Sequence, residues 1–289
     1  QAAPSGIVGS APAMRAVMEL VQRAASGRCG ILICGERGTG RETIARAIHA
    51  RAPNREVPFV KVDCSGSSVE DVELQLFGVL NKRPGHAVPE QRSLERLGSS
   101  SRLCDAAGGV LFLENLVELP ARAQARLVRV LRDHEVFLDD LRDPVRIDFR
   151  PIASVEPAIE AAREEGRLRQ DLFERLSLIR IDVPALRQRR EDIPMLAAHF
   201  LRELCGTNDR PMNTLTRPAI TLLSALPLRG NLPELRALLE RLVLLVPRGL
   251  IRLEDVLAHT QLEATISPTG FDATLRQARA RFERDYIAA

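Results

Sequence analysis

The chain has 289 residues and a mass of 32.0 kDa, which suits a large domain followed by a smaller one. Apolar residues make up 45% and charged residues 27%, and no apolar run approaches the ~20 residues of a membrane span. The 41 basic and 38 acidic residues leave a net charge of +3, which is too small to indicate nucleic-acid binding by charge alone. The N-terminal residues lack the pattern of a signal peptide, and the five cysteines lack CxxC spacing. We therefore expect a cytoplasmic protein without disulfides, membrane contact or a metal site.

Strands alternate with helices through the first two thirds of the chain. Short apolar runs predict strands, and apolar residues at helical spacing predict the helices between them. The predicted helices cover residues 12–26, 41–51, 69–76 and 121–133, and the predicted strands cover residues 31–34, 59–62, 110–113, 145–152 and 178–183. This alternation predicts a parallel sheet with helical crossovers.

Two other stretches have different patterns. Residues 79–107 are polar and rich in Gly, Pro and Ser, so we expect a long surface loop there. Residues 192–257 show helical periodicity and no strand pattern, which predicts a small helical domain. The α/β core should therefore end near residue 183.

A glycine-rich segment follows the first predicted strand and opens the next helix. Its spacing is that of the phosphate-binding pattern GxxxxGK[ST], with Arg41 in place of the Lys and Glu42 in place of Ser or Thr. Glycines let the backbone N–H groups turn inward, and a helix N-terminus adds a partial positive charge. The candidate phosphate loop consists of Gly35, Glu36, Arg37, Gly38, Thr39, Gly40, Arg41 and Glu42. The alternative interpretation is a glycine-rich turn that only joins a strand to a helix.

Several segments carry a resemblance to a known family. GERGTGRE is similar to GESGTGKE, PFVKVDC to PFV.VNC, and VELQLFG to LESELFG. DAAGGVLFLENL resembles the Walker B stretch A.GGTLFLDEI, LRQDLFERL resembles FREDLYYRL, and LRGNLPEL resembles WPGNVREL. These are motifs of the bacterial enhancer-binding proteins, the NtrC-type AAA+ activators that work with sigma-54.

The resemblance implies an α/β fold of the AAA+ P-loop NTPase type, a three-layer parallel sheet with a smaller all-helical lid domain. The core would cover residues 1–183 and the lid residues 184–262. Residues 263–289 would be a linker toward a helix-turn-helix DNA-binding domain outside this sequence.

The resemblance also implies roles for residues away from the loop. Ile7 and Val8 would lie beside the adenine of a bound nucleotide. Arg169 and Arg175 match the arginine-finger positions, which reach a neighbouring subunit's nucleotide in a ring. Both arginines equally fit solvated or ion-paired helix residues.

The chain departs from the family pattern at the residues that carry the chemistry. A planar guanidinium at Arg41 can bind phosphate, but not as the compact point charge of a lysine. Glu114 and Asn115 replace the Walker B Asp-Glu pair, and Asn115 cannot act as a general base, a loss that typically costs ~10²–10⁴ in rate. Another carboxylate taking over that role is an open alternative. Mg²⁺ binding is also left open, because Glu114 is one methylene longer than the family's Asp.

Three further features of the family are altered. Glu156 stands where the sensor I Asn belongs, and a carboxylate there would repel a γ-phosphate. Pro233 replaces the sensor II Arg. The segment between Gly78 and Gly108 does not contain GAFTGA, the loop that family members press against sigma-54.

These departures predict a transcriptional regulator module with a degenerate AAA+ fold, which binds a nucleotide as a ligand and oligomerises as a dimer or hexameric ring. The nucleotide is ATP, ADP or cyclic di-GMP, the last suggested by Arg37, Arg41 and Arg46 around the loop. We expect little or no ATP hydrolysis and no remodelling of sigma-54. DNA would be bound through a domain outside this sequence, and RNA polymerase is a candidate partner. The alternatives are a working ATPase with atypical catalytic residues and a purely structural oligomerisation module.

Overall fold

A computed structural model describes residues 7–66, 68–80, 94–141, 143–207, 213–246 and 249–260. The strands are β1 (Ile31–Cys34), β2 (Phe59–Asp63), β3 (Glu95–Leu97), β4 (Val110–Glu114), β5 (Glu135–Leu138), β6 (Val145–Arg146), β7 (Arg150–Val155), β8 (Ile179–Asp182), β9 (Thr214–Leu215) and β10 (Leu250–Ile251). The helices are α1 (Pro12–Ala25), α2 (Arg41–Ala50), α3 (Val69–Phe77), α4 (Arg102–Asp105), α5 (Ala121–Asp133), α6 (Ile159–Glu164), α7 (Gln170–Leu176), α8 (Ile193–Thr207), α9 (Arg217–Ala225), α10 (Asn231–Leu245) and α11 (Leu253–His259). Single 3₁₀ turns cover Leu116–Glu118, Leu186–Gln188 and Arg190–Asp192.

The main sheet is parallel and has the strand order β2, β4, β7, β1, β8. Its strands end at a common edge because they all run in the same direction. There Cys34 lies opposite Val155 and Asp182, and Asp63 lies opposite Glu114. The loops that follow β1, β2, β4 and β7 therefore meet at this edge, which is where open α/β sheets bind their ligands.

Helices cover both faces of this sheet. Ile31 and Ile33 of β1 pack with α1 and α2, whereas Leu32 and Cys34 pack on the opposite face with α3 to α7. The four residues of β1 are all buried, which explains why its sequence is a continuous apolar run rather than an alternating one. The predicted three-layer α/β architecture is confirmed.

A second, three-stranded sheet of β3, β5 and β6 corrects two predictions. The single strand predicted over residues 145–152 is wrong, because the backbone changes partners there. The N–H of Ile147 bonds the carbonyl of His134, the N–H of Arg150 bonds that of Gly109, and the chain passes from β6 to β7 between them. The stretch 79–107, predicted as a loop, contains β3 and α4, while residues 81–93 lie outside the described residues.

The C-terminal part packs four helices, α8 to α11, around a core of its own, which Val8 and Leu186 also join. The prediction that this part has no strands is wrong. β9 and β10 form a parallel pair of two residues each, too short to show an alternating pattern in the sequence. The boundaries at 183/184 and 262/263 stay predictions, and residues 263–289 lie outside the described residues. In the described part of the chain, no helix is long and apolar enough to cross a membrane.

Candidate nucleotide-binding site

The predicted phosphate loop joins β1 to α2 at the carboxyl edge of the sheet. Gly38 and Gly40 have φ angles of +76° and +99°, a left-handed backbone that glycine adopts without strain. Thr39 closes the turn by donating its hydroxyl to the Glu36 carbonyl at 2.8 Å. The first N–H groups of α2 have no partner within the helix, and the helix dipole adds positive potential there. The loop therefore has the geometry of an anion site.

Residues of the C-terminal part of the chain form hydrogen bonds to the backbone of this loop. Arg189 donates to the Thr39 carbonyl at 2.8 Å, Asn231 donates to the Arg37 carbonyl at 2.9 Å, and the Leu232 N–H bonds the Gly38 carbonyl at 3.1 Å. We therefore expect a conformational change in the loop to alter the position of the helical part, and a change in the helical part to alter the loop.

An ion pair between Glu36 and Arg187 adds to this contact, with a distance of 2.7 Å between Oε2 and Nη1. The hydrogen bond from Arg187 lowers the pKa of Glu36, although partial burial opposes that shift. Arg187 and Arg189 thus both contact the loop.

A cavity of about 340 Å³ lies between the loop and the helical part. It is lined by Gly38, Gly40, Arg41, Glu42, Glu114, Phe200, Leu232, Pro233 and Arg236. Arg236 follows Pro233 by less than one helical turn and pairs with Glu203 at 2.9 Å. The sequence reasoning noted the loss of an arginine at position 233 and missed Arg236.

Arg41 is buried, with 5% of its surface exposed. Its guanidinium donates to the Gly35 carbonyl at 3.2 Å and to Asn115 Oδ1 at 2.9 Å. Burial lowers the pKa of Arg41 and the charge of Glu114 opposes this, but a guanidinium stays protonated in either case. Arg41 is therefore anchored to the residue at the Walker B glutamate position.

Asn115 makes contacts with both of its amide atoms. Its Nδ2 donates to Asp63 Oδ1 at 3.0 Å and to Ser65 Oγ at 3.3 Å. Burial alone would raise the pKa of Asp63, but the hydrogen bonds from Ser65 and Asn115 outweigh it and hold that pKa below its usual value. The family pattern quoted above has Asn where Asp63 stands and Glu where Asn115 stands, so the amide and the carboxylate have exchanged places.

Lys61 joins the two acidic residues of the site. Its Nζ lies 2.6 Å from Glu42 Oε2 and 2.6 Å from Glu114 Oε2. Arg46 binds the second oxygen of Glu42 at 2.8 Å and stacks on the Phe59 ring at 4.6 Å. Burial alone would lower the pKa of Lys61, but the hydrogen bonds and charges of the two carboxylates outweigh burial and raise that pKa above its usual value. Lys61 therefore stays an ammonium. Lys61 was missed, although it is one of only two lysines among 41 basic residues.

The remaining predicted residues lie around this centre. Glu156 follows β7 and pairs with Arg37 at 2.6 Å, so it neutralises a loop arginine. Ile7 packs in the core beside α1 and α2, whereas Val8 packs in the core of the helical part. Arg169 and Arg175 are exposed at α7, and Arg169 pairs with Asp171 at 2.7 Å. Neither arginine is among the residues that line the cavity.

Residues 7–182 match the family model of the sigma-54 interaction domain, and residues 187–270 match that of the AAA+ ATPase lid domain. The chain belongs to the sigma-54 interaction domain family. The resemblance to NtrC-type regulators is confirmed at this level, and so is the AAA+ fold with its C-terminal helical lid.

Among the relatives, the transcriptional regulatory protein ZraR of Escherichia coli K12 is 35% identical over 241 residues, which is 83% of this chain and 53% of ZraR. The DNA-binding transcriptional regulator NtrC of Azospirillum brasilense is 33% identical over 98% of this chain and 58% of NtrC. The chain thus spans little more than half the length of these curated relatives.

A crystal structure of NtrX from Brucella abortus in complex with ATP superimposes with a TM-score of 0.80 and 32% identity. It covers 97% of this chain, and this chain covers 62% of NtrX. A second NtrX structure, in complex with ADP, superimposes with a TM-score of 0.76.

Proposed function

We propose that this chain is the central module of a cytoplasmic transcriptional regulator, which binds a nucleotide as a ligand and self-associates. It hydrolyses little or no ATP and does not remodel sigma-54. The observation that carries this proposal is the state of Asn115, an amide tied to Arg41 and Asp63 at the position where the family has its catalytic glutamate.

Three features support nucleotide binding. The phosphate loop keeps its glycines in the left-handed conformation, and a cavity lies against it. Arg236 brings a guanidinium from the lid to that cavity, where it can bind phosphate in the place of the missing arginine at position 233. The NtrX structures are of complexes with ATP and ADP. The adenine would lie near Ile7 and Val8, where the core and the lid meet.

The chemistry of the site argues against hydrolysis. A carboxamide cannot accept a proton, so Asn115 cannot activate a water molecule. Glu156 adds a negative charge beside the loop, although Arg37 partly neutralises it. The absence of GAFTGA from the sequence between Gly78 and Gly108 supports a module without mechanical output to sigma-54. Residues 81–93 of that segment lie outside the described residues.

Cyclic di-GMP is the second candidate ligand. The guanidinium groups of Arg37 and Arg46 are largely exposed near the loop, where they can stack on guanine or bind phosphate. Each is paired with a carboxylate, Glu156 or Glu42, which the ligand would have to displace. An unchanged affinity for cyclic di-GMP after Arg46→Ala would argue against this site.

Calorimetric titration with ADP, ATP and cyclic di-GMP tests the proposal. We expect at least one of them to bind with a Kd below about 100 µM, roughly −5.5 kcal/mol. If none binds at that level, the chain is a structural oligomerisation module with a vestigial loop. Phosphate release is measured in parallel, and a turnover of order 0.1–10 s⁻¹, toward the low side of ordinary enzymes, would contradict the proposal.

A working ATPase with atypical residues is the second candidate function, and Asp63 is the observation in its favour. Its carboxylate lies 3.0 Å from the Asn115 amide and could take over as the base. If wild-type turnover is measurable, Asp63→Asn should abolish it. The double variant Asp63→Asn with Asn115→Glu restores the amide and the carboxylate to their positions in the family pattern. It should recover turnover if the exchange of these two groups is what limits the rate.

The partners of the whole protein are part of the same proposal. A DNA-binding domain outside this sequence would place the module at a promoter, and RNA polymerase would be contacted there. The NtrC relative is a DNA-binding transcriptional regulator by name, which supports this assignment.

A further inference from the structure

The acidic residues of the site are already neutralised by side chains of the chain itself. Glu42 opens α2 at the position where the phosphate-loop pattern has the Ser or Thr that binds Mg²⁺, and Glu114 ends β4 at the position of the Walker B acid. A divalent cation bound with the nucleotide would lie between these two positions. In this chain the Lys61 ammonium lies there, 2.6 Å from each carboxylate.

The donor set does not fit Mg²⁺. This ion requires nearly octahedral oxygen ligands at 2.0–2.1 Å, and carboxylates usually supply its negative charge. Glu42 is paired with Arg46 and shares Lys61 with Glu114, so two cations balance the two carboxylates. Glu114 is paired with Lys61. Within the described parts of the chain, no three acidic, His or Cys residues are grouped so that they could hold a metal ion.

Lys61 is held in place by its position in the sheet. It lies on β2, the edge strand, directly opposite Phe112 of β4. Its side chain is about one-third exposed and reaches Glu114 at the carboxyl end of β4 and Glu42 in the first turn of α2. An ammonium has three N–H donors, and Glu42 and Glu114 account for two of them. The third can serve an oxygen of a phosphate bound at the loop.

We propose that Lys61 replaces the divalent cation of the phosphate site, so that this module binds its nucleotide without Mg²⁺. The inference rests on the proposed nucleotide binding for its functional meaning. It also explains why a chain with 39 arginines has a lysine here, since a compact ammonium fits between two carboxylates where a planar guanidinium is bulkier.

The first arm of the test uses the metal alone. Mn²⁺ is titrated into the protein without nucleotide, and the bound fraction is read by electron paramagnetic resonance. Wild type should bind Mn²⁺ at least about tenfold more weakly than Lys61→Met, which frees both carboxylates but keeps the length of the side chain. Lys61→Arg retains the positive charge and should still bind Mn²⁺ more weakly than Lys61→Met, although its bulkier guanidinium fits less well between the two carboxylates. Equal Mn²⁺ affinity of wild type and Lys61→Met would overturn the proposal.

The second arm measures ADP binding by calorimetry in Mg²⁺ and in EDTA. The Kd of wild type should change by less than about threefold between the two conditions, whereas that of Lys61→Met should weaken by about tenfold or more in EDTA. A wild-type Kd that weakens about tenfold in EDTA also overturns the proposal, whether or not the variant folds. If ADP, ATP and cyclic di-GMP all fail to bind in both conditions, the proposed nucleotide binding fails, and the Mn²⁺ arm still decides the role of Lys61.

Discussion

Arg41 shows how a single substitution can rearrange the contacts of a phosphate loop. A lysine ammonium is a point charge, whereas the guanidinium of Arg41 forms two divergent hydrogen bonds, one to the loop at Gly35 and one to Asn115. The partner matters as much as the arginine. A glutamate at position 115 would form a buried ion pair with Arg41, whereas the amide leaves the guanidinium charge available to an anion.

Gly38 combines a left-handed backbone with close packing of the loop against the helical lid. A Cβ at Gly38 would lie 2.6 Å from Pro233 Cδ and 2.8 Å from the Gly230 carbonyl, and its φ is +76°. We therefore expect Gly38→Ala to lower the melting temperature and to weaken nucleotide binding, because the loop and the lid must separate. The left-handed backbone alone costs about 1–2 kcal/mol for a residue with a Cβ.

Gly166 provides a matched control for that backbone term. Its φ is +73°, and nothing lies within 4 Å of the position of its Cβ. Gly166→Ala should show the backbone penalty alone, with unchanged nucleotide affinity. Thermal unfolding and calorimetry of both variants separate the two effects, and equal losses in both would refute the contact between Gly38 and Pro233.

At the scale of elements, Arg150 connects the main sheet to α1. Its buried guanidinium donates to the carbonyls of Ala24 and Ala25 at the end of α1, and to that of Cys29 in the following loop. The last carbonyls of a helix lack intrahelical donors, and here the Ala24 carbonyl also accepts the Gly27 N–H at 3.2 Å. A cation at this end complements the helix dipole. Arg150 thus fixes the end of α1 on the start of β7.

Arg150→Met should reduce the free energy of unfolding by about 2–4 kcal/mol, since it removes a buried cation and its hydrogen bonds to three carbonyls. Arg28→Met is the control, because Arg28 is 92% exposed and only loosely paired with Asp148 at 3.5 Å. That change should stay within about 0.5 kcal/mol. Chemical denaturation measures both, and a small effect of Arg150→Met would show that solvent replaces its hydrogen bonds.

The elements that can be predicted from the sequence are those with a continuous apolar run or with glycines at a characteristic spacing. β1 and β4 are continuous apolar runs, and the phosphate loop has its glycines at fixed spacing, so both are evident before folding. β9 and β10 have two residues each, too few for any period to be visible. The strand predicted over 145–152 failed because its middle residues bond other parts of the chain.

The same limit applies to the site. Asn115 and Glu114 were found because they fall in a recognisable motif. The ion pairs of Lys61 depend on β2 lying beside β4, which brings together residues about fifty positions apart. Arg236 faces the cavity only because α10 packs against the loop. Such contacts follow from the tertiary arrangement, and local sequence patterns do not contain them.

At the scale of the whole molecule, the exposed arginines at α7 bear on self-association. The family resemblance predicts that Arg169 and Arg175 reach a neighbouring subunit's nucleotide, and both side chains are exposed. Arg169 pairs with Asp171 within the chain, an exposed ion pair of the kind worth at most about 1 kcal/mol, so exchange for a phosphate is energetically easy. A neighbouring nucleotide can therefore compete for this guanidinium.

Arg169→Ala should weaken ADP-dependent self-association by about tenfold or more, the loss expected for one charge-assisted contact of about 1.4 kcal/mol. Arg167→Ala is the matched control, because Arg167 is an exposed arginine two residues away that pairs with Glu165 at the same 2.7 Å. Sedimentation velocity over a range of protein concentrations, with and without ADP, measures the association constants. If both variants associate like wild type, α7 does not reach a neighbouring nucleotide, and self-association uses a surface without the arginine fingers. If both variants lose association equally, the surface charge of this region controls self-association. A specific contact of Arg169 with a neighbouring nucleotide would weaken association only in the Arg169 variant.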